Sequence, residues 1–587
     1  MRVLAVAVCL GTTLVVSTPA GAQVELTPVA PAVFSDSIDV KLVNIDVFVT
    51  DGQGNAVDGL GIDDFEIFED GELVSISHFA RIEPPAGPGS VGGSQGSAAA
   101  TAASEGLLPH LIIAFDSRHI TQIAKRRMMK GLRRYIEESS IPPERVMIMI
   151  LAHDTHQSFD VAVPFGSTRE ELEEGLDRVK EMAPGGRTVQ HSYENLLDSL
   201  AQAHYEYRRR AASNPGGPGG LQATAQACTA VRRQWKADIR AYASETIGRV
   251  DGTVQRLVGL MNLLSAVPGH KSFLYVGGGL ELVPAEDVYV YANKICPGSF
   301  NVMDAQADTR AAVLKSLTDV ANANRISFNA FEASSFHLSM TASPEFRSSI
   351  YTPGATVDRY RTQNLQNSLF MMANETGGKA LLGTNGFFPE PEIIDRALSS
   401  YYSLGFSPLG SGSSDSHTIR VELREGKGLE LRYRRSYSMR PHAAEQDDKL
   451  MSVLALGWNQ NPLDIRVDHG DVGPVEGKGD AFLVPLSVSV PVNLLVCVPD
   501  DAREVNCRVR LLMRACDEKD RVSPLYERSY EISFPENTSP KRRVTLQLVN
   551  KVRGGDHRFV VGVVDELGLA ASYLVHPVAV GETIPPE

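Results

Sequence analysis

A chain of 587 residues is too long to fold around one hydrophobic core, so we expect roughly three or four domains. Charged residues make up 22% of the chain and hydrophobic residues 43%, which is ordinary for a globular protein. The formal net charge of −14 argues against a general nucleic-acid-binding protein. No CxxC pair occurs in the sequence, so a structural zinc site has little support.

The first 22 residues have the features of a secretory signal peptide. Arg2 precedes an apolar run over 3–16, and the small residues Ala20–Ala22 precede Gln23. The run is shorter than the roughly 20 residues that a membrane-spanning helix needs, and no later stretch is long and apolar enough to cross a membrane. We therefore expect a cleaved signal peptide over 1–22, export to the periplasm or the extracellular space, and no transmembrane anchor.

A small β module is predicted for residues 35–83, because apolar and polar residues alternate there with a period of two. The apolar positions of this pattern are Val43, Ile45, Val47, Val49, Phe65 and Ile67. Residues 84–106 are rich in Pro, Gly, Ala and Ser, a composition that predicts a flexible linker.

An α/β domain with insertions is predicted over residues 107–440. The apolar run 111–115 predicts a buried strand that ends on Asp116 and is followed by an amphipathic helix. A second buried strand over 146–152 and a helix after Thr168 repeat this order, which is typical of a parallel sheet. Open α/β folds place their ligand sites at the carboxyl edge of such a sheet, so Asp116 is the first candidate for a functional residue.

The later part of this domain alternates regular elements with predicted insertions. A mobile segment is expected over 211–225, and loop-rich segments are expected over 280–308 and 335–362. The predicted helices and strands are 235–264, 273–276, 311–323, 326–331, 365–375, 401–407, 417–423 and 429–437.

An all-β, sandwich-like domain is predicted for residues 448–582, because short strands with alternating apolar residues follow one another there. Cleavage of the signal peptide leaves five cysteines: Cys228, Cys296, Cys497, Cys507 and Cys516. An oxidising compartment favours disulfides, and an odd count leaves at least one thiol. Spacing alone does not determine the pairing; we expect Cys228 to pair with Cys296, and two of the last three cysteines to pair with each other.

Several separated segments carry a resemblance to a known family. They are 44–51, 64–71, the strand that ends at Asp116, 401–406, 417–421 and 434–437. Over about residues 38 to 440, the chain resembles bacterial proteins that carry a von Willebrand factor A-related domain, the version abundant in acidobacteria. The resemblance implies a Rossmann-like A domain with a central, mainly parallel sheet, flanked by β structure, in a protein that is usually exported and of undetermined function.

The resemblance also bears on metal binding, because A domains of the adhesive kind hold Mg²⁺ through a DxSxS loop, a Thr and a further Asp. Asp116 matches the first Asp, but Arg118 and Ile120 stand at the two serine positions. Thr188 is the candidate for the second-loop Thr, and Gly277 stands where the third-loop Asp is expected. We therefore expect no tightly bound metal and no cofactor, with Asp116 and Thr188 as weak ligand candidates. Arg118 is a candidate to pair with Asp116 and replace the ion electrostatically. Weaker substitute ligands are Ser117, Thr121 and Glu281.

The leading hypothesis is a secreted, non-enzymatic protein that binds a protein or cell-surface partner through the upper loops of a degenerate A domain. The residues expected in these loops are Asp116, Arg118, His119, Thr188 and Gly277. One alternative is a metal-dependent adhesin, and another is a structural subunit of an envelope assembly. A third is an exported hydrolase in which Asp116, His119 and His153 perform acid–base chemistry at the carboxyl edge of the sheet.

Overall fold

A computed structural model of the chain describes residues 25–29, 43–82, 109–120, 122–139, 141–151, 159–213, 220–333, 355–383, 394–395, 400–409, 416–424, 428–438, 442–475, 481–499, 504–535, 542–568 and 570–581. The first strands in chain order are β1 (Glu25–Val29), β2 (Val43–Thr50), β3 (Phe65–Glu69), β4 (Glu72–Val74), β5 (Ile76–Ile82), β6 (His110–Asp116), β7 (Val146–Leu151), β8 (Asp160–Val163), β9 (Lys271–Gly277), β10 (Ile326–Glu332), β11 (Ala380–Leu381) and β12 (Tyr401–Phe406). They are followed by β13 (Ser416–Leu423), β14 (Glu430–Arg432), β15 (Ser436–Ser438), β16 (Arg466–His469), β17 (Gly473–Pro474), β18 (Ala481–Pro491), β19 (Cys497–Pro499), β20 (Glu504–Asp517), β21 (Tyr526–Pro535), β22 (Arg543–Arg553), β23 (Gly555–Asp565) and β24 (Ala571–Val580).

The helices are α1 (Gln122–Glu138), α2 (Arg169–Glu181), α3 (Gly186–Ala212), α4 (Gly220–Leu263), α5 (Glu286–Ile295), α6 (Met303–Gln306), α7 (Ala311–Ala323), α8 (Ala355–Glu375) and α9 (His442–Leu456). Some expectations from the sequence lie outside the described residues: the signal peptide over 1–22, the linker over 84–106 and the positions of Thr121 and His153. Within the described residues, no helix is both long enough and apolar enough to cross a membrane.

A six-stranded sheet in the order β11-β10-β9-β6-β7-β8 confirms the α/β class of the fold. All neighbouring strands in it are parallel except β8, which runs antiparallel to β7. β6 lies between β7 and β9. Strands β7 and β8 therefore lie on one side of β6, and β9, β10 and β11 lie on the other. Such a reversal of strand order leaves a crevice at the carboxyl ends of the two central strands.

Every residue of β6, β9 and β10 is buried. Because successive side chains of a strand point to opposite faces, both faces of the sheet must be covered. One face packs against α1 and α2, whose Leu132 and Leu176 share a cluster with Ile113 of β6. Helices α7 and α8 contact β10. The central strands are therefore rigidly held, and their carboxyl ends have fixed positions.

The two long helices α3 and α4 share a hydrophobic cluster with α5, in which Trp235 is fully buried. The disulfide between Cys228 and Cys296 joins α4 to the residue that follows α5, so this predicted pairing is confirmed. The bounds of 211–225 that were predicted for a mobile segment are wrong. Helix α3 continues to Ala212 and α4 already begins at Gly220, while residues 214–219 lie outside the described part of the chain.

The loop-rich segment expected over 280–308 is also wrong, because it contains α5 and α6. The buried face of α5 carries Val288, Tyr291, Ala292 and Ile295. Their spacing of i, i+3, i+4 and i+7 is the pattern of an amphipathic helix, which a short element shows only over about two turns. In the segment expected to be irregular over 335–362, α8 begins at Ala355, and residues 334–354 lie outside the described part.

The strands of the predicted N-terminal module pair with strands that the sequence analysis assigned to the α/β domain. They form two four-stranded sheets, in the orders β14-β2-β12-β5 and β15-β13-β3-β4. The apolar side chains of both sheets, including Ile45, Ile67 and Leu404, lie in one buried cluster. The alternating residues of the module therefore find their packing partners in strands beyond residue 400.

A second compact unit contains β1, residues 263–266 and the described chain from His442 onward. Its antiparallel sheets have the orders β1-β21-β20-β23-β24, with β19 on β20, and β16-β18-β17, with β22 on β18. Val488 of β18 and Leu511 of β20 belong to one buried cluster, as in a two-layer β structure. Helix α9 packs through Leu450 against Leu512 of β20. Cys497 and Cys507 form the second disulfide and Cys516 is free and buried, which confirms that two of the last three cysteines pair.

Candidate functional site

The carboxyl ends of β6 and β9 bring two predicted residues to the same edge of the sheet. Asp116 is the last residue of β6 and Gly277 is the last residue of β9. The two strands are neighbours, with Phe115 opposite Val276. This edge is the crevice position expected from the strand order, so the site is built from the loops that follow β6 and β9.

The carboxylate of Asp116 is fully buried and accepts hydrogen bonds from the protein. Its Oδ2 accepts a 2.5 Å hydrogen bond from the hydroxyl of Tyr275 and lies 2.7 Å from Nδ1 of His119. Its Oδ1 accepts a 3.1 Å hydrogen bond from the backbone amide of Arg118. Asp116 thereby caps the short 3₁₀ turn Ser117–His119.

Tyr275 was missed in the sequence because it lies inside an apolar strand, two residues before the expected ligand position. Residues 275 and 277 point to the same face of β9. A Cβ atom at Gly277 would lie 2.7 Å from the ring of Tyr275, so a residue with a side chain does not fit there. The available signal was the tyrosine itself, because a buried phenol needs a hydrogen-bond partner.

Thr188 differs from Asp116 in burial: its side chain is exposed, in the first turn of α3. The loop before it contacts the 3₁₀ turn: the amide of Gly185 donates a 2.7 Å hydrogen bond to the carbonyl of Ser117. The hydroxyl of Ser117 donates to the carbonyl of Leu151 at 3.0 Å, which joins the turn to β7. The structure thus brings Asp116, Arg118 and His119 into one group, and the loop that precedes Thr188 is hydrogen-bonded to the turn of this group.

A narrow crevice with a volume of about 30 Å³ opens beside this group. Its polar lining comes from Arg118, His119, Thr246, Arg249, Glu281 and Arg361. Val189, Val250 and Leu365 supply apolar wall. Gly279 has a φ of +86° and passes so close to α8 that a Cβ there would lie 2.6 Å from the carbonyl of Leu365. Glycine at this position therefore allows the loop after β9 to close one side of the crevice.

Two arginines of the crevice lining form ion pairs. Arg361 lies 3.4 Å from Asp287, and its guanidinium stacks 3.7 Å from the ring centre of Tyr193. Arg249 lies 2.6 Å from Glu245 and donates to the hydroxyl of Thr246. The sequence analysis missed Arg361 and Asp287 because both fall in segments that were expected to be loops.

Glu281 is the acidic residue of this lining, and 7% of it is exposed. Its Oε1 accepts a 3.3 Å hydrogen bond from the hydroxyl of Tyr242. Burial raises the pKa of the Glu281 carboxyl above its ordinary value, against the opposing effect of the Arg361 guanidinium. The sequence singled out Glu281 only as a weak substitute metal ligand.

The donor set at Asp116 does not fit the magnesium motif of adhesive A domains. Arg118 and Ile120 stand at the two serine positions, and Oδ2 of Asp116 is already in contact with Tyr275 and His119. Elsewhere in the described chain, His204, Cys228 and Cys296 lie within 4.8 Å of one another. The two cysteines are joined in a disulfide, so this group offers no thiolate to a metal.

Comparisons with known proteins leave the family as a prediction. No family model matches the chain, and no curated protein matches it. One solved structure, described as the X-ray structure of Northeast Structural Genomics Consortium target SoR45, aligns with 22% of this chain and 94% of its own, at 13% identity and a TM-score of 0.15. A TM-score this low supports no conclusion about fold or function.

Proposed function

We propose that this chain is an exported, non-enzymatic protein of the von Willebrand factor A-related type, which binds a protein or cell-surface partner through the loops around the crevice. The observation that carries the proposal is the environment of Asp116, whose carboxylate accepts hydrogen bonds from Tyr275, His119 and the amide of Arg118. These protein donors satisfy the carboxylate that a metal ion would otherwise neutralise. Recognition at the crevice is therefore independent of divalent metal.

Two further features support this proposal. Arg118 and His119 are partly exposed and Thr188 is exposed, so polar groups stand on the rim of a rigid sheet edge. Loops on such a scaffold present side chains to a partner with little backbone movement. The two disulfides support export, because disulfides persist in oxidising compartments.

Metal dependence is tested by thermal unfolding of the full chain with EDTA, Mg²⁺, Mn²⁺ or Ca²⁺. A ligand that binds only the native state raises the unfolding midpoint with its concentration. We expect the same midpoint in every condition. A rise that Asp116→Asn abolishes, and that the exposed control Asp160→Asn retains, would replace this proposal with a metal-dependent adhesin.

The partner-binding face is tested with a photo-crosslinking phenylalanine derivative placed at one of two exposed threonines. Thr188 directly precedes Val189, which lines the crevice, and Thr229 lies on α4 and serves as the control. After irradiation of cells that produce the protein, we expect discrete crosslinked products from position 188 and none from position 229. Equal products from both positions, or products from 229 alone, would contradict the proposed face.

A second candidate function, an exported hydrolase, has support from the 2.7 Å contact between Asp116 and His119. A carboxylate that orients an imidazole is a recurring arrangement in acid–base catalysis. Its test is the turnover of nitrophenyl esters and glycosides by the wild type and by His119→Asn. Turnover that the variant loses, while its unfolding midpoint is retained, would favour the hydrolase over the non-enzymatic proposal.

A further inference from the structure

Two histidines of the second compact unit have their ring nitrogens in direct contact. Nδ1 of His469 lies 2.9 Å from Nε2 of His576, and the two ring centres are 5.1 Å apart. His469 is exposed and His576 is half-buried, so water and ions reach the pair. Neither histidine lines the crevice described above.

The two histidines belong to different sheets of the β structure. His469 is the last residue of β16, and His576 lies in β24; each of these strands is at an edge of its sheet among the described strands. Val467 of β16 and Val578 of β24 pack into the cluster between the sheets. Because residues two apart in a strand point to the same face, both imidazoles project from the inner faces of their sheets. The pair therefore bridges the two layers at their exposed border.

The distance between the two nitrogens matches the separation of two adjacent ligands on a metal ion. Histidine nitrogens lie about 2.0–2.1 Å from a bound transition metal, so two of them at a right angle are about 2.9 Å apart. At a tetrahedral angle they are about 3.3 Å apart. The χ2 angle of histidine has a broad range, so both rings can turn toward a shared ion while the strands stay in place. The pair thus suits an ion with ligand positions at right angles.

We propose that His469 and His576 form a binding site for Cu²⁺, with water in the remaining ligand positions. Imidazole nitrogens suit copper, nickel and zinc, and Cu²⁺ combines tetragonal geometry with the tightest binding of the three. Without metal, one ring donates its N–H to the other. When the ion binds, that ring carries its proton on its outer nitrogen, so both shared nitrogens offer lone pairs and no net proton is released. This inference goes beyond the proposed function, because it concerns a metal ion bound by the other compact unit.

The surroundings of the pair favour a transition-metal ion. Burial and the neighbouring His469 lower the pKa of the His576 imidazole, and the carboxylate of Asp468 opposes this shift. Asp468 therefore adds negative charge near the site. Mg²⁺, Mn²⁺ and Ca²⁺ prefer oxygen ligands, so the unfolding experiment on metal dependence at the crevice does not report on this site.

The test is titration calorimetry of the full chain with Cu²⁺ at pH 7.5, after treatment with EDTA and removal of the EDTA by dialysis. Loss of a ligand should weaken binding at least as much as loss of a group that hydrogen-bonds to a ligand, which costs about tenfold or more. We therefore expect His469→Gln and His576→Gln each to weaken the tightest Cu²⁺ binding by about tenfold or more. The matched control is His78→Gln, which changes an exposed histidine of β5 and should keep the wild-type affinity.

Thermal unfolding shows whether the ion joins the two sheets. A metal that binds only the folded pair raises the unfolding midpoint with its concentration. We expect Cu²⁺ to raise the midpoint of the second compact unit in the wild type and in His78→Gln, and to leave it unchanged in the two site variants. The midpoint without metal shows that each variant folds. If His576→Gln does not fold, His469→Gln carries the test, because His469 is exposed.

Three results would overturn the inference: Cu²⁺ binding that neither site variant weakens, a wild-type unfolding midpoint that Cu²⁺ leaves unchanged or lowers, and Zn²⁺ binding that is tighter than Cu²⁺ binding. The crosslinking experiment at Thr188 involves no metal. Failure of the copper site is therefore distinguishable from failure of the partner-binding proposal.

Discussion

The hydroxyl of Tyr275 donates a 2.5 Å hydrogen bond to Oδ2 of Asp116. Both side chains are fully buried, and they belong to the neighbouring parallel strands β9 and β6. Burial and the adjacent Asp116 carboxylate hold the pKa of Tyr275 well above its ordinary value, so the phenol remains a donor. The contact therefore satisfies a carboxylate at the carboxyl edge of the sheet through a side chain of the same protein.

Replacing Tyr275 with phenylalanine removes this donor and keeps the packed ring. A buried carboxylate that loses one donor loses stability, so we expect Tyr275→Phe to lower the free energy of unfolding by about 1–3 kcal/mol. The measurement is urea unfolding of the full chain, with Tyr207→Phe as the control because Tyr207 is 45% exposed. Equal effects of the two substitutions would show that the Asp116 contact contributes nothing to stability.

The absence of a side chain at Gly277 leaves room for the ring of Tyr275. A Cβ atom at position 277 would lie 2.7 Å from the ring, so Gly277→Ala must displace the tyrosine or the strand. Overpacking of this kind costs about 1–3 kcal/mol of unfolding free energy. The control is Gly259→Ala in α4, where an added Cβ meets nothing within 4 Å and alanine favours the helix by about 1 kcal/mol. Opposite signs of the two effects in calorimetric unfolding are the expected result, and a stabilised Gly277→Ala would contradict the packing described here.

The strands of the α/β domain were predictable because their signal is local. A continuous apolar run such as 111–115 marks a strand that is buried on both faces, and the following Asp116 is visible in the same few residues. The pairing of Cys228 with Cys296 was expected although spacing alone did not determine it, and it is confirmed. These features need no knowledge of which strands are neighbours.

The partners across strands were not predictable, because periodicity identifies a strand without identifying its neighbour. Tyr275 contacts Asp116 across 159 residues of sequence, and only the parallel register of β6 and β9 brings them together. For the same reason, the alternation at Ile45 and Ile67 predicted a module but did not show that its strands pair with β12 and β13. The Arg361–Asp287 pair was hidden in segments that were expected to be irregular. Asp287 lies in the short helix α5, and Arg361 lies in the part of α8 that precedes the predicted helix 365–375.

His110, the first residue of β6, should make the stability of the α/β domain depend on pH. Burial, reinforced by the positive charges of Arg145 and Lys271, lowers the pKa of His110 to about 3. The unfolded chain has an ordinary histidine pKa of about 6.5. Between these values the unfolded state binds a proton that the folded state does not, so stability is complete above about pH 6.5 and falls as the pH falls.

The substitution His110→Gln removes this proton binding, so stability should depend less on pH in the variant than in the wild type. Lowering the pH from 7 to 5 should cost the wild type about 2 kcal/mol more than the variant. Urea unfolding at the two pH values measures this difference. The control His78→Gln changes an exposed histidine and should keep the wild-type pH dependence. If the free energy of unfolding of His110→Gln depended on pH as strongly as that of the wild type, another group would be responsible for the pH dependence.

The two disulfides close loops of different length, with sequence separations of 68 for Cys228–Cys296 and 10 for Cys497–Cys507. If a disulfide acts mainly by restricting the unfolded chain, the longer loop contributes about 4 kcal/mol and the shorter loop about 3 kcal/mol. The two bonds lie in different compact units. Replacing each cysteine pair with alanines should therefore lower the unfolding temperature of a different unit.

Differential scanning calorimetry of the two double variants, Cys228→Ala/Cys296→Ala and Cys497→Ala/Cys507→Ala, measures these effects under non-reducing conditions. Limited proteolysis along the same temperature ramp assigns each transition to its unit. The control is Cys516→Ala, which removes the free buried thiol without opening a loop. We expect the largest decrease in unfolding temperature when the Cys228–Cys296 pair is removed, because its loop is the longer one. This decrease should be confined to the α/β unit. If removal of Cys497 and Cys507 lowered the unfolding temperature of the α/β unit more than removal of Cys228 and Cys296, both the assignment of the bonds to separate units and the loop-length argument would be contradicted.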